Sequence, residues 1–129
     1  MPLVRITTQV GRTPAQIQEL GDIVQDVMLE HFAAPPGDRY QIIEELPVGA
    51  IRAEDTGLGI ERSAGVTIIH ITQQGRDAAQ KQAVYARLAQ RLGAAGLVRP
   101  EDLVVAVVLN GREDWSFGHG RAQFLTGEL

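Results

Sequence analysis

The sequence predicts an α+β, two-layer fold: a duplicated β-α-β unit whose four strands form one mixed sheet, with two helices on one face. Three observations predict it. Short alternating or apolar runs at 3–7, 39–46, 66–72 and 103–109 read as strands. Two longer stretches with apolar residues at helical spacing lie one between the first and second of these runs and one between the third and fourth. The two halves also superimpose without a gap at an offset of 64 residues.

Taken in order, Leu3 to Thr7 alternates as a strand that Gly11-Arg12 ends. A helix follows, with Thr13 as N-cap, Pro14 at the first helical position and Gln16 placed to complete a capping box. Ile17, Leu20, Val24, Val27, Met28 and His31 recur on one face, the stripe expected to pack on the sheet. Ala34-Pro35-Pro36-Gly37 stops this helix, and residues 39–46 form the second strand. Residues 47–63, with Pro47, Gly49, Gly57 and Gly59, read as a turn-rich connection between halves. After the third strand, a helix over 78–92 starts behind Asp77 as N-cap with Gln80 as capping partner, and Gly93 lies beyond its end. The fourth strand follows at 103–109.

One shift aligns turn, helix face and following turn together. Thr8-Gln9 lies over Thr72-Gln73, Gly11-Arg12 over Gly75-Arg76, and Gln16 over Gln80. Leu20, Val24 and Met28 match Val84, Leu88 and Leu92, while Pro36 and Asp38 match Pro100 and Asp102. The expectation is a single domain over 1–129, with pseudo-repeats at about 2–46 and 66–110 and a tail at 111–129.

Composition narrows the function classes. A net charge of −4 with scattered arginines leaves no basic patch for nucleic acid. The absence of cysteine excludes disulfides and thiol catalysis. No apolar run approaches membrane length and no signal-peptide pattern follows Met1, so a soluble cytoplasmic protein is expected. His31, His70 and His119 share no metal-ligand spacing, and Gly57-Leu58-Gly59 lacks the third glycine of a dinucleotide loop. Neither metal nor cofactor is expected.

Pro2 carries the chemical suggestion. Methionine is usually trimmed before a small residue, and the processed chain would then begin with a secondary amine. Proline also simply tolerates the first position of a strand, so a structural role stands beside the functional one. If a pseudo-two-fold axis relates the halves, the first and third strands pair antiparallel, and Pro2 faces the Gln73-Gln74-Gly75-Arg76 turn. Val66, at the equivalent place in the second half, is internal and has no amine.

With Pro2, the duplication, Asp38, Arg76 and the tail in view, the chain resembles the tautomerase superfamily, and within it the malonate semialdehyde decarboxylase branch. The resemblance spans essentially the whole length. Its most specific parts are Asp38-Arg39-Tyr40-Gln41-Ile42, Glu54-Asp55-Thr56-Gly57-Leu58-Gly59 with Arg62-Ser63, Asp114-Trp115-Ser116-Phe117-Gly118, and Gly120-Arg121-Ala122-Gln123-Phe124-Leu125-Thr126-Gly127. It implies a homotrimer without cofactor or metal, acting on a small carboxylate substrate. Pro2, Asp38 and Arg76 match the family's catalytic positions, and Trp115, Phe117, Phe124 and Leu129 its apolar pocket. One departure stands out: this chain has Gln74-Gly75-Arg76 where the family pattern is Arg-Pro-Arg. An amide donates a hydrogen bond without charge, so carboxylate binding is expected to rest mainly on Arg76, with Gln74 beside it.

The implied reaction is decarboxylation of malonate semialdehyde or a similar 3-oxo acid to an aldehyde. Asp38 would keep Pro2 protonated, since a nearby carboxylate favours the charged amine. Tyr40, two residues on, is expected on the same face by strand alternation. Both Asp38 and Arg76 have counterparts beside no amine, Asp102 and Arg12, so a turn role for Asp38 and a structural role for Arg76 stand alongside. The rival readings are a tautomerase or hydratase acting on small 2-oxo acids or enols, and a trimeric binding protein without catalysis.

Overall fold

A computed structural model describes residues 2–129; Met1, and with it the question of its removal, lies outside the described residues. The element order is β1 (Leu3–Gln9), α1 (Pro14–His31), β2 (Tyr40–Leu46), β3 (Thr67–Gln74), α2 (Ala78–Ala94), β4 (Leu103–Asn110) and a four-residue helix α3 (Gln123–Thr126). The sheet runs β2-β1-β3-β4. The outer pairs β1/β2 and β3/β4 are parallel, while the central β1/β3 pair is antiparallel, as the duplication predicts.

The helices start where the sequence places them. Thr13 accepts from Gln16 N and Gln16 reaches back to Thr13 N; Asp77 and Gln80 repeat the same box one half later. Each box satisfies backbone donors that a helix's first turn leaves without partners. α2 runs two residues beyond its expected end, through Gly93. Gly96, at φ +68°, makes the left-handed turn that follows.

Alternation along the central strands divides the sheet into two faces. Val4 and Ile6 of β1 and Ile69 and Ile71 of β3 point into a core shared with Leu20, Val24, Val27 and Met28 of α1 and with Val84, Leu88 and Leu92 of α2. Both helices therefore cover this one face. His31 departs from the expected stripe: it is only partly buried, 3.5 Å from Glu30, and Ile23 is buried instead.

The connection over 47–63 contains neither helix nor strand and is tied down by side chains from the repeats. Gln9 accepts from Gly49 N and Ile51 N and donates to Ala64 O, so one buried amide fixes both ends of the segment. Asp55 folds its middle by accepting from Gly57 N at 3.1 Å and Gly59 N at 3.0 Å.

Candidate functional site

The register brings the start of β1 to the ends of β3 and β4 and to the start of β2. Leu3 is paired with Tyr40 on one side and Thr72 on the other, and Gln74 lies across from Asn110. Pro2, directly before Leu3, is buried. One end of the sheet thus gathers chemistry from all four strands.

Two open clefts lie there, on either side of a stacked aromatic pair. Tyr40 and Phe117, with ring centroids 5.5 Å apart and planes at 30°, contribute to both clefts. The larger cleft, about 500 Å³, lies between the 35–38 turn and the tail, and contains Asp38, Gln123, Glu128 and Leu129. The smaller, about 410 Å³, is bounded by Leu3, Thr72, Asn110 and Trp115. The aromatic set continues with Trp115 stacked on Phe117 and Phe124 edge-on to it, both at 5.5 Å. Arg112 lies over the Phe124 ring at 4.7 Å.

Asp38 precedes β2, so strand alternation does not place it. The turn does: Asp38 N donates to Pro35 O at 3.1 Å, and Asp38 O accepts from the buried Gln25 side chain at 3.3 Å. Its side chain is buried while Tyr40 is exposed, yet both border the larger cleft. Burial raises the Asp38 carboxyl above the ordinary carboxylate value.

Arg76 has a structural task as well. Its Nε and Nη2 donate to Phe32 O at 3.2 and 2.6 Å, and its Nη1 to Gln74 O and Gly75 O at 3.0 and 2.8 Å. Phe32 is the C-cap of α1, so the guanidinium sits where a helix dipole welcomes positive charge. This is the end of the opposite helix, not the start of its own. Partial burial lowers its pKa. Gln74, where the family pattern has arginine, keeps its Oε1 buried with no hydrogen-bond partner among the described residues.

The pseudo-equivalent site in the second half is built differently. Asp102 accepts from both the backbone N–H and the hydroxyl of Ser63 and lies 3.4 Å from Arg99. Arg12 donates to Leu97 O, Thr8 Oγ1 and Gly65 O. With Val66 in place of Pro2, that end is held by internal bonds and has no amine.

Sequence reasoning missed Gln25, Thr72, Asn110, Gln123 and Glu128. Asn110 accepts from Trp115 Nε1 at 2.9 Å and so aims the indole. Gln123 accepts from Phe117 N and donates to Gly118 O, pinning the aromatic turn. The signal for Asn110 was present: a polar residue ends an otherwise apolar strand, at the position where the first repeat has Leu46. Among the described residues no three His, Asp or Glu side chains gather as a metal site.

A family model described as tautomerase enzyme matches residues 38–118, and a second of the same description matches residues 2–61. The probable tautomerase YrdN of Bacillus subtilis (strain 168) is 41% identical over 129 residues, covering 100% of both chains. A second probable tautomerase of that organism, YusQ, is 34% identical over 126 residues, 97% of this chain and 99% of its own. The crystal structure of malonate semialdehyde decarboxylase, described with decarboxylase and hydratase activities, is 40% identical, covers 98% of each chain and superimposes with a TM-score of 0.93. The FG41 malonate semialdehyde decarboxylase inhibited by 3-bromopropiolate is 41% identical, with 98% and 97% coverage and a TM-score of 0.94. The chain belongs to the tautomerase superfamily, as an enzyme similar in structure to malonate semialdehyde decarboxylase.

Proposed function

We propose that this protein decarboxylates malonate semialdehyde, or a similar small 3-oxo acid, without a cofactor, using Pro2 as an amino-terminal amine. The observation that carries this reading is the meeting, at one end of the sheet, of the start of β1 with buried Asp38 and the aromatic clefts. The 40% identity to a decarboxylase over nearly the whole chain supports it.

Breaking the C–C bond to the carboxylate leaves an electron pair on the carbon beside the carbonyl. CO2 departs, the electrons pass into an enol or enamine, and a proton returns to carbon; the enol gives the aldehyde directly, whereas the enamine gives an iminium that water hydrolyses to the aldehyde and the free amine. Protonated Pro2 would donate to the carbonyl oxygen as charge builds there; alternatively the neutral amine condenses to an iminium, which serves as the electron sink. The Asp38 carboxylate favours the protonated amine. The Arg76 charge draws the substrate carboxylate to this end. Holding it too firmly would stabilise the ground state, because that charge leaves as CO2. The aromatic walls exclude water and strengthen the field at the amine.

A homotrimer belongs to the same proposal. The sheet face opposite the helices exposes Leu3, Tyr40, Ile42 and Val108, apolar surface that association would cover. The experiment is to incubate protein lacking Met1 with malonate semialdehyde and follow CO2 across pH. Proline acting as an acid loses activity as pH rises; a tautomerase using it as a base gains activity instead.

A further inference from the structure

Among the described residues, the side chains that border the larger cleft include two carboxylates, Asp38 and Glu128, and no cation. Glu128 stands at the rim. Its Oε1 accepts from Thr126 Oγ1 at 2.7 Å and lies 2.9 Å from Arg121 Nη2. The tail carrying it is anchored in turn, because Leu129 N donates to Gln123 O and Gln123 is bonded to the turn at Phe117 and Gly118. A negative charge is therefore held in a fixed place at the cleft mouth, partly offset by one arginine outside the cleft wall.

We propose that Glu128 is a specificity-determining residue, a charge filter that admits small 3-oxo monocarboxylates and turns away dicarboxylates, with Arg121 setting its strength. The inference rests on the function proposed above and deepens it by naming the substrate's charge class. A 3-oxo monocarboxylate brings one negative charge to the cleft and leaves its carbonyl end neutral. A dicarboxylate brings a second charge into the same cleft, where Glu128 repels it as well. At separations near 6 Å and effective dielectric constants between those of protein and water, this repulsion amounts to about tenfold in affinity. The rim is solvated, so salt weakens it.

The test needs no turnover. Dissociation constants for malonate, a dianion at neutral pH, and for monomethyl malonate, a monoanion of the same skeleton, are measured by calorimetry at low salt for wild type, Glu128→Gln and Arg121→Gln. Glu128→Gln is expected to lower the malonate-to-monoester Kd ratio by about tenfold. Arg121→Gln, which leaves Glu128 uncompensated, is expected to raise it. A ratio unchanged in both variants, or moved the same way in both as loosening of the tail would do, overturns the filter while leaving the proposed function intact. If neither ligand shifts the NMR signals of Tyr40 and Phe117 in wild type, the site itself is wrong, and the proposed function falls together with the filter.

Discussion

Arg76 holds the end of the opposite repeat's helix: its Nε and Nη2 both donate to the carbonyl oxygen of Phe32, the C-cap of α1. A carbonyl at a helix C-terminus has no partner within the helix, and a charged donor suits both its lone pairs and the dipole. Arg76→Gln is therefore expected to lower stability without any ligand, by about 1–3 kcal/mol, as for hydrogen bonds to a charged group. Urea unfolding of both proteins checks this. An unchanged midpoint would mean that the Phe32 contact contributes nothing and that any loss of activity comes from substrate binding alone.

Asp38 is expected to shape the pH behaviour. Burial raises its folded-state pKa above the unfolded value, so between the two the native state binds the proton more tightly. Stability should fall as pH rises from the ordinary aspartate value, about 3.9, through the raised one, and Asp38→Asn should flatten that slope. In the proposed reaction the sign for kcat/KM is opposite, because there the carboxylate is the working form. The acid limb is expected above the ordinary aspartate range, and Asp38→Asn should remove it while moving the alkaline limb, set by Pro2, to lower pH. Paired stability and rate profiles over pH 3–9 test both statements; an alkaline limb unmoved in the variant contradicts the pairing of Asp38 with the amine.

Phe117 separates the two clefts, touching Tyr40, Trp115 and Phe124. Phe117→Ala should join them, with kcat/KM falling by about tenfold or more as water enters the site. The stability loss should stay at about 1–2 kcal/mol, because the ring is only partly buried and full burial of such a side chain contributes about 1.5–3 kcal/mol. Leu88→Ala, at a fully buried core position, should reverse the balance, with about 2–5 kcal/mol of stability lost and little change in kcat per folded molecule. Unfolding and steady-state kinetics on the two variants separate wall from core.

The repeat made the fold legible. Capping boxes at Thr13 and Asp77 are local, so residues three apart announce each helix start. The central antiparallel pair is not local, and only the 64-residue offset pointed to it. Strand ends were less legible, because Thr8, Gln9, Gln73 and Gln74 are polar residues that continue β1 and β3. Pro2, Asp38 and Arg76 could be named as candidates because each residue type carries its own chemistry; in the structure Pro2 and Asp38 are buried, and Arg76 donates to the carbonyl oxygen of Phe32. The carbonyl of Phe32 has no sequence signature and could not reveal Arg76's second task. Gln25, Gln123 and Glu128 matter through contacts between distant segments, which no local spacing encodes.

The central claim concerns the ring nitrogen of Pro2, and CO2 release from malonate semialdehyde tests it most directly when two preparations of the same chain are compared. Intact mass assigns one as lacking Met1 and the other as retaining it. The trimmed protein should release CO2 at a rate that the retained form, its proline nitrogen locked in an amide, does not approach; equal rates from the two would contradict the account.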